Sequence, residues 1–251
     1  MAASAKDNTV LIHSTGELID QVCKMLQSDG VVRWFRGHRS VDWDIQPFIW
    51  RDYNSDHERN FTNRFRTRAA LRRSAVPERD DFPAWLSLMQ HYGLPTRLLD
   101  WSRSPLIAAY FAVSKYSDKN YAPADAVIWM LAPHTLNESE GFEGVTPPID
   151  GYISEKMIEP AFRTRKENGK VLAVMSVEHD ARMVVQQGAF TVHSDRKPLN
   201  TRLGHEKYLF KFCIPAKCVQ RMALEIQACS ITRGEIFPDF ANLADELRGL
   251  P

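Results

Sequence analysis

Apolar residues recur at helical or alternating spacing along most of this chain. From Ser14 to Gln27 they form one stripe, and Ser14 with Glu17 matches a capping box, so we predict a helix there that ends before Gly30. Residues 31–36 alternate apolar and polar side chains, which predicts a strand. Further strands are predicted at residues 126–131, 171–177, 190–193 and 207–214, and further helices at residues 58–74, 216–229 and 240–248.

These elements alternate without a regular βαβ rhythm, which favours an α+β fold with one mixed sheet flanked by helices. We predict a lead and helix over residues 1–29 and a single domain over residues 30–251. Residues 135–148 are acidic and rich in glycine and proline, so a loop is expected there, serving as a mobile flap or a partner site.

The stretch QHYGLPTRLLDWSRSPLIAAYFA, residues 90–112, holds the densest group of polar and aromatic residues. A turn is expected at Gly93, and Ser104 followed by Pro105 predicts the start of an apolar helix. A helix N-terminus behind a polar turn suits an anion such as phosphate. An ordinary loop leading into a core helix fits the same residues equally well.

Two groups of arginines add candidate chemistry. Arg36 stands at the end of a predicted strand beside Gly37, where a guanidinium can reach a phosphate or carboxylate in bidentate fashion, or else pair structurally with a nearby aspartate. Three arginines at successive i+4 steps form a basic helix face, suited to an acidic partner or a phosphate backbone, or simply to solvent: Arg64, Arg68 and Arg72.

Composition narrows the classes of function. The chain is 44% hydrophobic and 25% charged, as in ordinary globular proteins, and its net charge of +1 argues against capture by nucleic acid over the whole surface. The apolar runs are too short for a membrane helix, and the start lacks a signal core, so a cytoplasmic protein without membrane contact is expected. The histidines show no ligand spacing, so no metal site is predicted.

Four blocks of the sequence resemble the FRG domain, named for its Phe-Arg-Gly motif. They are WFRGHRSVDWDIQP, DDFPAWLSLMQHYGLPTRLLDWSRSPLIAAYFA, RMVVQQGAFTVH and IFPDFANLADEL, in the order typical of the family, over roughly residues 30 to 248. The order of the blocks is also similar, more distantly, to that of ADP-ribosyltransferases. This second resemblance implies an ADP-ribosyltransferase-like sheet and NAD as the substrate.

The resemblance to ADP-ribosyltransferases also implies roles for individual residues. Arg36 would contact the NAD phosphates, and the strand after Gln187 would occupy the place of the catalytic strand. We therefore expect catalytic roles for Arg36, His91, Asp100 and Gln187. We expect NAD contacts from Phe35, Gly37, His38, Tyr92, Arg97, Ser102 and Ser104.

The sequence departs from the ADP-ribosyltransferase pattern at the catalytic glutamate, where it has Gln186 and Gln187 before Gly188. A carboxylate normally stabilises the ribosyl cation that forms as nicotinamide leaves, and a neutral amide does so less well. Another acid is therefore expected to take this role, with Asp100, Glu178 and Glu235 as candidates. His91 is a candidate base for the acceptor, because imidazole titrates near neutral pH.

Three functions remain open at this point. The first is mono-ADP-ribosyl transfer to a macromolecule, protein or single-stranded nucleic acid, with the arginine face on the acceptor. The resemblance implies a toxin or antiviral defence setting, in which an antitoxin protein is a candidate partner. Separately, the acidic composition of residues 138–143 makes them a candidate partner site. The alternatives are a nucleotide-binding module without turnover and an NAD glycohydrolase.

Overall fold

The computed structural model of the protein describes residues 8–69, 71–72, 76–118, 120–177 and 181–249. Seven strands in this part of the chain form one sheet: β1 (Thr9–Leu11), β2 (Trp34–His38), β3 (Leu98–Ser102), β4 (Ala126–Leu131), β5 (Val171–Met175), β6 (Gly188–His193) and β7 (Leu209–Ile214). Their order is β1-β7-β4-β2-β3-β6-β5. β1 runs parallel to β7, and every other neighbouring pair is antiparallel. The predicted α+β class is confirmed.

The helices of the described residues flank this sheet. They are α1 (Thr15–Asp29), α2 (Phe48–Asp52), α3 (Ser55–Ala69), α4 (Phe82–His91), α5 (Pro105–Val113), α6 (Pro133–Ser139), α7 (Tyr152–Ile158), α8 (Ala181–Val185), α9 (Ala216–Ala228), α10 (Arg233–Ile236) and α11 (Phe240–Gly249). The caps read from the sequence are present in α1. The Ser14 hydroxyl accepts the N–H of Glu17, and Gly30 ends the helix with a left-handed φ of 63°.

The central strand β4 is buried along its whole length because helices cover both faces of the sheet. On one face Ile128 packs with Phe212 of β7 and Met222 of α9. On the other face Val127 and Trp129 join a second buried cluster. A strand covered on both sides needs no polar alternation, which accounts for the unbroken apolar run AVIWML.

The sheet opens between β2 and β3. All five residues of β2 pair with β4, whereas the register between β2 and β3 contains the single pair Phe35–Ser102. Beyond this pair the two strands separate toward His38 and Asp100. A gap inside a sheet leaves room for side chains between strands, and this gap forms the mouth of the candidate site.

Two segments differ from the sequence prediction. Residues 98–102, where no strand was predicted, form β3, in which every side chain except Asp100 is buried. The expected acidic loop begins instead with helix α6. The buried Asn137 of α6 exchanges hydrogen bonds with the backbone of Ala173 at 2.8 and 3.0 Å, and Glu140 forms an ion pair with Arg202 at 2.8 Å. These contacts anchor the segment to the sheet and argue against a mobile flap.

The N-terminal elements pack onto the same sheet. β1 lies beside β7, and Leu18 and Val22 of α1 belong to the same buried cluster as Phe212. The division of the chain at residue 30 stays a prediction. No helix in the described ranges is long and apolar enough to cross a membrane.

Candidate functional site

Gly37 brings β2 directly against the backbone of α5. A Cβ atom added at Gly37 would lie 1.9 Å from the carbonyl oxygen of Ala108 and 2.6 Å from the backbone nitrogen of Ala112. Both contacts involve helix backbone, which cannot move aside as a flexible side chain can. Only glycine therefore fits at this position, and the close approach sets one wall of the site.

A cleft of about 410 Å³ lies at the opening between β2 and β3, within the size range of small-ligand sites. It is lined by β2, by the end of β3, by α5 and by residues of the C-terminal third of the chain, Arg182, Gln186, Arg233 and Phe237. The cleft thus draws on segments far apart in the sequence. These segments meet at the opening between β2 and β3.

The Arg36 guanidinium spans the gap between the two strands. Its Nη1 donates to the backbone oxygen of Asp100 at 2.5 Å, and its Nε donates to Nε2 of His38 at 3.0 Å. Burial lowers the pKa of Arg36 to about 10, with Asp100 opposing the shift and Arg51 adding to it. Arg36 remains a cation at neutral pH and is held in one orientation.

His38 supports Arg36 as a neutral imidazole. Its side chain is buried, at 3% exposure. Burial, and then the charges of Arg36 and Arg51, lower the pKa of His38 to about 3. The unprotonated Nε2 can therefore accept the hydrogen bond from Arg36 across the neutral range.

The Asp100 carboxylate faces the cleft and is held by a neighbour. Nε2 of Gln90 donates to this carboxylate at 2.7 Å, and Oε1 of Gln90 accepts from the Thr96 hydroxyl at 2.5 Å. The threonine fixes the amide, and the amide fixes the carboxylate. Among the cleft-lining residues in the described ranges, Asp100 carries the only acidic side chain.

Cationic side chains surround this single acid. None of them forms an ion pair with a carboxylate in the part of the chain that the structure describes. A concave surface lined by one sign of charge concentrates ligands of the opposite sign. The cations of the cleft are Arg36, Arg39, Arg51, Lys115, Arg182 and Arg233.

Strand β2, which contains Arg36 and Gly37, and helix α5 both line this cleft. They lie in a segment that matches a known protein family. Residues 32–121 match the FRG domain family. Over these residues the chain is similar to the FRG domain. The match runs from β2 through α5 and covers the first two of the four resembling blocks. Neither the curated proteins nor the solved structures contain a match.

Ser102 and Ser104 stabilise the cleft through hydrogen bonds to backbone groups. The Ser102 hydroxyl donates to the carbonyl oxygen of Gln186 at 2.7 Å and accepts the N–H of Ser104 at 3.0 Å. Ser104 in turn caps α5 by accepting the N–H of Ile107 at 3.4 Å. Ser102 lines the cleft, and Phe35 contributes mainly packing, because it is buried in the core below.

Of the two glutamines that precede β6, the structure places Gln186 in the cleft, whereas Gln187 was the one expected there. Gln187 has a left-handed φ of 47°, is exposed and does not line the cleft. Gln186 lines the cleft instead, with Nε2 donating to the carbonyl oxygen of Ile236 at 3.1 Å. The structure therefore does not bring Gln187 to the cleft and places Gln186 there, because the backbone turns between the two residues.

Arg97 lies inside the matched segment but away from the cleft, so the structure does not bring it to the site where a contact with NAD was expected. Its side chain is 0% exposed and binds the Glu58 carboxylate at 2.8 Å and the Glu167 carboxylate at 2.9 Å. Burial alone would lower the pKa of Arg97, but the two carboxylates raise it. With its donors already occupied by protein oxygens, this guanidinium has a structural role.

His91 and Tyr92 also lie outside the cleft. His91 ends α4, and its carbonyl oxygen accepts from Arg182 at 3.1 Å. Tyr92 lines a separate groove of about 510 Å³ between α3 and α4, together with apolar residues and with Arg64, Arg68 and Arg72. The predicted arginine face is therefore one side of a concave surface. His91 and Tyr92 lie at the end of α4, beside Gln90, which contacts the cleft residue Asp100.

Of the two alternative acids, only Glu235 belongs to the described residues, and it does not line the cleft. Glu235 is exposed in α10 and absent from the cleft lining, and Glu178 lies outside the described residues. No group of three or more histidine, cysteine, aspartate or glutamate side chains in the described ranges is arranged to hold a metal ion. Sequence analysis missed Gln90 as the partner of Asp100, although the ten-residue spacing lies inside the stretch that it singled out.

Proposed function

We propose that this protein is an NAD-dependent mono-ADP-ribosyltransferase whose cleft between β2 and β3 binds NAD. One observation carries the proposal: Arg36 and the Asp100 carboxylate are each held by hydrogen bonds at the same opening, in a cleft whose other charged side chains are all cationic. A fixed cation suits the diphosphate of NAD, and a fixed carboxylate suits the ribosyl cation.

In the proposed reaction, the bond between C1′ of the ribose and the nicotinamide nitrogen breaks. Nicotinamide leaves with the bonding electron pair, so that its ring becomes neutral and C1′ carries the positive charge. An acceptor hydroxyl or amine then forms a bond to C1′ and releases its proton to the solvent or to Asp100. The Asp100 carboxylate stabilises the cation electrostatically, the role that a glutamate fills in the enzymes the sequence resembles.

The groove between α3 and α4 is the proposed site of the macromolecular acceptor. Its three arginines are exposed along a floor that includes Phe61 and Phe65. Exposed arginines beside aromatic rings suit single-stranded nucleic acid, where phosphates meet the cations and bases stack. We place this activity in a toxin or defence setting, on the resemblance alone.

A nucleotide-binding module without turnover is the second candidate. The observation that favours it is Gln186, whose neutral amide lines the cleft at the end of the segment where a catalytic glutamate was expected. An NAD glycohydrolase, with water as the acceptor, differs from the transferase only in the fate of C1′. The products formed from NAD therefore distinguish the three candidate functions.

The test is incubation of the purified protein with NAD labelled on the adenylate, in the presence of cell lysate. We expect label on a macromolecule together with free nicotinamide. Label in free ADP-ribose alone would establish the glycohydrolase instead. Intact NAD that nonetheless binds would establish the binding module.

Two variants connect that result to the cleft. Arg36→Ala should abolish NAD binding, and Asp100→Asn should retain binding but lose nicotinamide release. The exposed Arg165 pairs with Glu159 away from the cleft, so Arg165→Ala is the control for charge loss. Normal NAD binding by Arg36→Ala would refute the assignment of the cleft.

A further inference from the structure

A second lobe lies next to the cleft. This lobe has a volume of about 420 Å³ and shares four lining residues with the first. Two concavities that share lining side chains are neighbours, so one extended ligand can contact both. The shared residues are Tyr110, Ser114, Lys115 and Arg233.

The second lobe differs from the first in chemistry. Its walls combine Tyr121 with the aliphatic side chains of Ile226 and Ile231, and its polar groups include the amide of Gln227. Aliphatic and aromatic walls with an amide at the edge suit a flat heterocycle, which stacks through its faces and hydrogen-bonds through its rim.

Cations stand where the two lobes meet. The Lys115 Nζ lies 5.1 Å from the centre of the Tyr121 ring, and Arg233 donates from Nε to Oδ1 of Asn242 at 2.6 Å. Both side chains line both lobes. A ligand that fills the site from end to end must therefore pass these two positive charges at its middle.

We infer that the two lobes bind the two ends of a dinucleotide, with adenine in the second lobe and the diphosphate beside Lys115 and Arg233. This inference rests on the proposed function, in which NAD is the substrate. A dinucleotide consists of two flat heterocycles joined through riboses and a central diphosphate. The site has the same spatial order, because the two cations lie between the two lobes. The nicotinamide mononucleotide half then lies in the first lobe, with its phosphate toward Arg36 and its ribose beside Asp100, where the bond is broken.

Fragments of NAD test the assignment by calorimetry on the full chain. Tyr121→Ala should weaken ADP binding at least fivefold and leave nicotinamide mononucleotide binding unchanged, because base stacking is lost in one lobe only. The control is Tyr152→Ala, since Tyr152 is an exposed tyrosine under Lys156 at 4.0 Å and lies outside both lobes. Arg36→Ala should show the opposite pattern, with binding of the mononucleotide weakened more than binding of ADP, because Arg36 lies in the first lobe.

A second variant covers the case in which Tyr121→Ala fails to fold. Gln227 is exposed on α9, so Gln227→Trp should fill the lobe without disturbing the core and should block ADP.

If both folded variants bind ADP normally while the wild type binds NAD through Arg36, the lobe assignment is wrong and the proposed function stands. If the wild type binds ADP through Tyr121 but does not bind NAD, the proposed function fails and the lobe stands as an adenine-nucleotide site. If the wild type binds neither, both fail.

Discussion

Gln90 donates a hydrogen bond from its side-chain amide to the Asp100 carboxylate at 2.7 Å, from the last turn of α4 to the exposed residue of β3. Thr96 fixes the same amide from its other end at 2.5 Å. An isolated exposed carboxylate samples several rotamers, whereas this one is aimed by a neutral donor. Gln90 is thus a positioning residue for Asp100 in the proposed reaction.

Removing the Gln90 side chain should lower the turnover rate more than it weakens the binding of NAD. A hydrogen bond to a charged group contributes about 1.5–3 kcal/mol, so Gln90→Ala should lower kcat by roughly tenfold to a hundredfold and change KM little. Nicotinamide release measures both constants. In Gln90→Glu, two carboxylates compete for one proton, so the acid limb of the kcat profile should move to higher pH. A parallel loss of kcat and folded protein, without a pH shift, would argue for a purely structural role.

The buried ion pair between Arg97 and Glu58 should matter for stability alone. Replacing one partner leaves an uncompensated buried charge, so Arg97→Met should lower the free energy of unfolding by about 3–5 kcal/mol. Urea denaturation measures the change. The exposed pair between Arg163 and Asp80 is the control, and Arg163→Met should cost about 1 kcal/mol or less. Equal losses in the two variants would contradict the structural assignment of Arg97.

Gly37 and Gly16 make a matched pair of glycine sites. An added Cβ at Gly37 overlaps the α5 backbone, whereas at Gly16 its nearest neighbour is the Ser14 hydroxyl at 3.7 Å. Gly37→Ala should therefore destabilise the protein and displace β2 from α5, with loss of NAD binding. Gly16→Ala should be neutral or stabilising by up to about 1 kcal/mol, because alanine is the better helix former. Thermal unfolding distinguishes the two, and a stable, NAD-binding Gly37→Ala would disprove the close approach.

Buried His193 should make the protein sensitive to acid. Burial first, and then the charges of Arg202 and Arg36, lower the pKa of His193 to about 3, against an unfolded value of about 6.5. The unfolded state therefore binds more protons between these values, so stability is fully present above pH 6.5 and falls as the pH drops toward 3. The slope reaches about 1.4 kcal/mol per pH unit for such a group. Relative to wild type, His193→Gln should flatten the pH dependence of unfolding, and the exposed His57→Gln should not.

Local signals account for the features that sequence analysis placed correctly. The Ser14 and Ser104 caps and the apolar run of β4 each depend on residues adjacent in the chain. Strand β3 was not predicted because only Asp100 of its five residues is exposed, so its sequence does not alternate between apolar and polar residues. Arg97 was misread because its partner Glu58 is distant in sequence, and an arginine held by a buried carboxylate has the same local pattern as one that binds phosphate.

The arginine face of the groove between α3 and α4 should determine how binding of single-stranded RNA depends on salt. Each phosphate contact contributes about 0.7 to the slope of log affinity against log salt, so replacing three arginines by glutamine should reduce the slope by about 2. The triple variant combines Arg64→Gln, Arg68→Gln and Arg72→Gln. Its control removes the same charge at exposed lysines outside the groove, with Lys24→Gln, Lys166→Gln and Lys217→Gln. Both variants change the net charge equally, so a slope that falls only in the first assigns RNA to the groove. Equal slopes would leave only nonspecific attraction, and the acceptor would have to be sought among proteins.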